Sequence, residues 1–135
     1  MIPLSVSKHR DAKKWDYIYD LNNEIDILFL GSSHIFTAFN PNIIDSLTNL
    51  KSFNLGSNGQ IINQTYYNLV EVLKYRNPST IVLDVNSLIK ETNSSAFIFQ
   101  NLSGMNLSVN KLISFLNTIK NDRLINIALF TKERF

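Results

Sequence analysis

Ile27-Leu28-Phe29-Leu30-Gly31-Ser32-Ser33-His34 decides the fold, because a strand read over Ile25–Leu30, apolar without a break from Ile27, meets a glycine, two hydroxyls and an imidazole. A continuous rather than alternating apolar run marks a strand covered on both faces, as in a parallel sheet flanked by helices. Polar residues immediately after such a strand sit at its carboxyl end, where ligands and reacting groups collect in open α/β sheets. Ser32, Ser33 and His34 are therefore the first candidate site residues.

Downstream, Asn40-Pro41 reads as an N-cap followed by proline at the first helical position, and Ile43, Ile44 and Leu47 share one face, which predicts a helix over 41–48. A second strand is expected over Lys51–Leu55, halted by Gly56-Ser57-Asn58-Gly59, whose glycines permit positive φ and close backbone approach. Ile61, Ile62, Tyr66, Leu69, Val70 and Leu73 recur at helical spacing and predict a helix ended by Asn77-Pro78. Thr80–Val85 reads as a third strand whose apolar run is broken by Asp84. Residues 87–104, rich in Ser, Asn and Thr, read as a long surface excursion around the apolar run Ala96–Phe99. Ser108 then caps a helix through Lys111, Leu112, Phe115, Leu116 and Ile119, and Leu124–Phe130 is a last apolar segment, strand or helix. Upstream, residues 1–20 form a polar N-terminal extension whose Trp15, Tyr17 and Tyr19 pack a short helix on the domain.

Strands alternating with helices over short connections predict a parallel sheet with right-handed crossovers and helices on both faces, a three-layer αβα sandwich of flavodoxin-like order 2-1-3. In that order Ser32-Ser33-His34, Gly56 to Gly59 and Asp84 to Ser87 converge on one rim. The chain of 135 residues is long enough for one domain with a real core and too short for two.

Composition narrows the classes. A formal charge of +2 from 13 basic and 11 acidic residues, without a basic block, argues against a nucleic-acid partner. The absence of cysteine removes disulfides, a thiol nucleophile and Cys-based metal sites, and with only His9 and His34 as imidazoles no metal is expected. No apolar run approaches the roughly 18 residues of a membrane span, and the N-terminus has no apolar signal core, so the default compartment for this chain is cytoplasmic. Asn63-Gln-Thr, Asn93-Ser-Ser, Asn101-Leu-Ser and Asn106-Leu-Ser match the glycosylation pattern, as an asparagine-rich composition produces without any glycan.

Residues 25–120 resemble the SGNH (GDSL-type) hydrolase superfamily, and more closely its GSSH-like branch of exported or membrane-anchored proteins. Gly31-Ser32-Ser33 is similar to the family's Gly-Asp-Ser at the end of a strand, which makes Ser33 the counterpart of the nucleophile. Asn54-Leu55-Gly56-Ser57-Asn58-Gly59 resembles the second block, and Asn86 in Asp84-Val85-Asn86-Ser87 resembles the asparagine of the third. The resemblance implies an oxyanion hole from the N–H groups of Ser33 and Gly56 and the Asn86 amide, with Ser32, His34, Asn58, Gly59 and Asp84 lining the pocket. It implies a serine esterase, acyl-transfer or deacetylase domain acting on acylated carbohydrate or lipid, without metal or organic cofactor.

The resemblance departs at the base. The family's Asp-x-x-His is absent: Asp122 is followed by Arg123-Leu124-Ile125, and no histidine follows His34. The chain reads as the N-terminal part of the family domain, truncated or naturally short. A parent protein anchored like its relatives would place the domain outside the cytoplasm. A parallel sheet stopped this early leaves an unpaired edge, which favours a homo-oligomer.

Other readings of the same residues stay open. Ser33 is equally suited to cap a helix, His34 to bond its own loop, Gly56 and Gly59 to serve as turn glycines, Asp84 to cap a turn, and Tyr66 with Tyr67 to pack a helix. The domain as a whole could be an SGNH-like fold that binds without turnover. It could instead be a flavodoxin-like phosphate or nucleotide module whose Gly31-Ser32-Ser33 turn cradles an anion. Against the last stand the lack of a Walker pattern, of an acidic cluster beside the first strand, and of a lysine after the third.

Overall fold

The computed structural model describes residues 13–85 and 95–118. Its elements, in chain order, are α1 (13–19), β1 (Ile27–Leu30), α2 (Ser33–Ala38), α3 (Pro41–Thr48), β2 (Ser52–Asn54), α4 (Ile62–Val72), β3 (Thr80–Leu83), α5 (Ser95–Leu102) and α6 (Val109–Thr118). The three strands form one parallel sheet in the order β2-β1-β3. The register sets Leu28 beside Phe53 and Ile81, and Phe29 beside Asn54 and Val82.

Alternation along β1 divides the two faces. Phe29 points to one face, where its ring stacks on Phe39 after α2 (centroids 4.7 Å apart), and the neighbouring Asn54 donates to the carbonyls of Ile35 and Phe39, both at 2.9 Å. Leu28 and Leu30 point to the other face and are fully buried in the core with Trp15 and Ile18 of α1, Val72 of α4, Leu102 of α5 and Phe115 of α6. Fully burying a side chain of this size contributes about 1.5–3 kcal/mol, so this second face holds most of the core.

The caps follow the sequence. Asn40 accepts from Asn42 N–H at 3.1 Å with Pro41 at the first helical position, and Asn49 closes α3 in the left-handed region at φ 57°. Asp45 of α3 accepts both the N–H (2.7 Å) and the hydroxyl (2.6 Å) of Ser52, which fixes where β2 begins. Ser108 accepts from Lys111 N–H at 3.2 Å and caps α6.

Two expectations are corrected. Residues 95–102, expected inside a surface excursion, form α5, with Ile98, Asn101 and Leu102 buried. The buried face of α4 is not its apolar stripe. Gln64, Thr65, Asn68, Glu71 and Val72 are buried, whereas Tyr66 is 58% and Leu73 48% exposed. The buried polar side chains bond one another and their neighbours in part: Gln60 donates to Thr65 Oγ1 (2.9 Å), Asn68 to Gln60 Oε1 (3.3 Å), and Asn101 to Gln64 Oε1 (3.2 Å), while Gln64 Nε2, Asn68 Oδ1 and Asn101 Oδ1 are buried without a described partner. Glu71 in turn accepts from Lys74 (2.6 Å), Asn110 (3.1 Å) and Ser108 (3.3 Å), so α4 grips the start of α6 through hydrogen bonds. α4 also ends at Val72 in tight turns, Tyr75 N–H reaching Val72 O at 2.9 Å, well before Asn77-Pro78. The segment Leu124–Phe130 lies outside the described residues.

Candidate functional site

At the carboxyl end of β1 the chain turns through Gly31 (φ +147°) and Ser32 into α2. A Cβ on Gly31 would stand 2.3 Å from Asp84 Cβ, so glycine is the residue that lets β1 and β3 close together here. Asp84, just beyond β3, uses that proximity. Its Oδ2 accepts the Ser32 hydroxyl at 2.5 Å and the Ser32 N–H at 3.3 Å. The same hydroxyl oxygen lies 3.1 Å from His34 Nδ1 and accepts the His34 N–H at 3.4 Å.

Ser32, buried at 4% exposure, is thus the N-cap of α2. Ser33 is the first helical residue, half-buried, and among the described residues no group bonds its hydroxyl, while its carbonyl accepts from Thr37 Oγ1 at 2.8 Å. Capping therefore falls to Ser32 and leaves Ser33 presented at the rim. His34 is exposed and bonds its own turn.

The loop after β2 reaches the same turn. Ser57 N–H donates to Gly31 O at 3.1 Å, and a Cβ on Gly56 would stand 2.8 Å from Ile35 Cγ2 and 2.9 Å from Phe36 N, so this loop is packed directly on the first turn of α2. Gly56 N–H donates to Asn54 Oδ1 at 3.0 Å, and its carbonyl accepts from Lys14 Nζ at 2.6 Å. Lys14 also sits over the Phe36 ring at 4.7 Å, which links α1 to the rim. Gly59 is left-handed at φ +61°, and a Cβ there would meet Phe97 of α5 at 2.7 Å. Asn58 is half-buried, and its carbonyl accepts from Asn101 of α5 at 3.2 Å.

The rim thus brings together Ser32, Ser33, His34, Gly56 and Asp84, with Asn58 and Gly59 held at one side by α5. Asn86, expected to supply an amide to the oxyanion hole, lies outside the described residues, as does His9. Among the described residues no cluster of three or more His, Cys, Asp or Glu side chains could hold a metal ion.

Sequence reasoning missed Lys14 and Asn101, which lie on helices whose polar residues gave no sign of pointing inward. Asn54, quoted from the sequence only as the start of the second block, is a buried amide that ties β2 to α2. Sequence reasoning also missed a cleft of about 410 Å³ at the far end of α2, lined by the apolar surfaces of Phe36, Phe39, Pro41 and Phe53 and bordered by Asn40 and Asn54. Phe36 lies one helical turn on from Ser33.

Fold and rim define an α/β protein with a parallel β2-β1-β3 sheet and a polar cluster at the carboxyl ends of its strands. No protein-family model matches the chain, and neither a curated protein nor a solved structure matches it. No helix among the described residues is long and apolar enough to cross a membrane.

Proposed function

We propose that this chain carries the nucleophile side of an SGNH-type serine ester hydrolase or acyl-transfer site acting on acylated carbohydrate or lipid. The observation that carries the reading is the division of labour between the two serines. Ser32 is buried, caps α2 and is tied to Asp84, whereas the Ser33 hydroxyl stands at the rim, bonded by no described group. In the step this geometry suits, Ser33 Oγ forms a bond to the ester carbon while its proton passes to a base. The carbonyl π pair moves onto oxygen, and collapse of that adduct expels the alcohol, which takes up a proton. Donors aimed at the developing oxyanion are worth about 2.7–4 kcal/mol each. The aromatic cleft one turn along α2 offers an apolar surface for the acyl part of a substrate.

The turn is poorly suited to a phosphate. Ser32 N–H already serves the Asp84 carboxylate, and a second anion beside it would be repelled. A binding domain without turnover is favoured by a different observation: Gly56 N–H is engaged by Asn54 Oδ1, so it would have to give up or share that bond to serve an oxyanion.

The test is labelling of the full chain with an alkyl fluorophosphonate, read by intact mass beside Ser33→Ala. One adduct per chain, lost in Ser33→Ala and kept in His34→Ala or Ser32→Ala, supports the nucleophile. A folded chain that stays unlabelled overturns the hydrolase reading in favour of binding.

A further inference from the structure

The polar side chains on the buried face of α4 orient one another. Thr65 Oγ1 gives its only hydrogen to Ile61 O at 3.1 Å, so toward Gln60 it can only accept, and Gln60 presents Nε2 to it at 2.9 Å. That leaves Gln60 Oε1 facing Asn68, which answers with Nδ2 at 3.3 Å. Asn101 of α5 is set from another side. The Asn58 carbonyl can only accept, so it faces Asn101 Nδ2, and the same Nδ2 donates to Gln64 Oε1, both at 3.2 Å. Reversing any one of these amides would set two donors or two acceptors against each other, so each orientation is fixed by the network.

Three atoms are left over. Gln64 Nε2, Asn68 Oδ1 and Asn101 Oδ1 have no partner among the described residues, although Gln64 is 0%, Asn68 1% and Asn101 2% exposed. Gln64 and Asn68 stand one turn apart on the same side of α4, a spacing that sets Cβ atoms about 5–6 Å apart. Asn101 meets Gln64 from α5, and the unbonded ends belong to the two amides that touch there. Buried polar atoms without partners are costly and rare in folded proteins.

One amide donor beside two carbonyl acceptors selects its ligand. A metal ion would be opposed by the Gln64 N–H hydrogens, and an anion by the two carbonyl oxygens. An alcohol has a single hydrogen to offer two acceptors. Water accepts from one group and donates to two.

We propose that the seam between α4 and α5 is a binding site for one long-lived water molecule, which accepts from Gln64 Nε2 and donates to Asn68 Oδ1 and Asn101 Oδ1. Three hydrogen bonds to otherwise unpaired buried groups are the usual complement of an internal water. The site braces the loop after β2, because Asn101 also holds the Asn58 carbonyl and Asn68 also holds Gln60. Water is thereby a structural part of the wall behind Gly59.

NMR of the full chain tests the site. Overhauser cross-peaks between water and the Gln64 side-chain amide hydrogens should have opposite signs in the laboratory and rotating frames, as they do for a water held beyond nanoseconds. Relaxation dispersion of water oxygen-17, which hydroxyl hydrogen exchange cannot imitate, should count one long-lived water fewer in Asn68→Leu than in the wild type. If Asn68→Leu does not fold, Gln64→Met is read in the same way. Absence of the Gln64 cross-peaks in the wild-type chain overturns the proposal. So does an unchanged oxygen-17 count in a folded variant.

Discussion

Asp84 Oδ2, just past β3, accepts both the hydroxyl and the amide hydrogen of Ser32, just past β1, and so joins the ends of two neighbouring strands where the chain turns into α2. The contact spans 52 residues of sequence, and it holds the turn from which Ser33 and His34 project. Replacing the carboxylate leaves a buried hydroxyl and an amide without their acceptor. Asp84→Ala should cost about 1–3 kcal/mol, read as a lower urea midpoint at unchanged slope. Asp84→Asn, which keeps an acceptor oxygen, should recover part of the loss. Wild-type midpoints in both variants would show that this link contributes nothing to folding.

The same link fixes a proton on His34. Ser32 has one hydroxyl hydrogen and gives it to Asp84, which as a carboxylate has none to return. Ser32 Oγ must then accept from His34 Nδ1 at 3.1 Å, so the neutral ring carries its hydrogen on Nδ1 and its lone pair on Nε2. Long-range proton–nitrogen correlation at alkaline pH should show Nδ1 protonated in the wild type and mixed tautomers in Ser32→Ala. An Nε2-protonated ring in both proteins would rule out the chain of hydrogen bonds.

Gly59 and Phe97 form a second pair, between the loop after β2 and α5. Gly59→Ala meets a left-handed φ of +61° and a Cβ contact at 2.7 Å with Phe97 Cδ2. The backbone term alone is about 1–2 kcal/mol. Because the clash is with a side chain, Gly59→Ala in a Phe97→Ala background should cost less than in the wild type. Equal costs in a double-mutant cycle would show that the backbone term acts alone.

Much of the frame was legible because it rests on period and punctuation. The unbroken run into Gly31 marked a parallel strand, Asn40-Pro41 and Ser108 marked helix starts, and short βα connections led to the order β2-β1-β3. The rim was legible for the same reason, since a topology that aligns strand ends aligns the residues after them. What was hidden depends on polar groups satisfied at long range. Nothing in the sequence marked Gln64, Asn68 and Asn101 as buried, because hydrophobic periodicity says nothing of where an amide turns, and their burial is met by the Asn68–Gln60 and Asn101–Gln64 bonds with one amide atom of each left unpartnered. The Ser32–Asp84 bond was invisible because adjacency on a rim does not say which hydroxyl turns inward.

Asn101 puts that last class of contact to the test. Its side-chain amide donates to Gln64 Oε1 and to the carbonyl of Asn58, both at 3.2 Å, while 2% exposed. Asn101→Ala removes both bonds and leaves the buried Gln64 Oε1 and the part-buried Asn58 carbonyl without this donor, which should cost about 1–3 kcal/mol. The loss should appear first as faster amide exchange in residues 57–60, ahead of the strands. Exchange that quickens uniformly across the sheet would mean that α5 supports the whole core rather than the loop.

The cleft beside α2 makes a prediction about substrate. Phe36, Phe39, Pro41 and Phe53 give it apolar walls, and Phe39 is held in place by stacking on Phe29. If the acyl part of an ester lies there, each methylene buried is worth about 0.8 kcal/mol, or roughly a threefold to fourfold gain in rate. Fluorophosphonates of increasing alkyl length should then label Ser33 progressively faster until the cleft of about 410 Å³ is filled. Phe39→Ala should flatten that dependence while sparing the shortest probe. A flat dependence in the wild type would separate the cleft from the serine rim and leave it without a part in substrate binding.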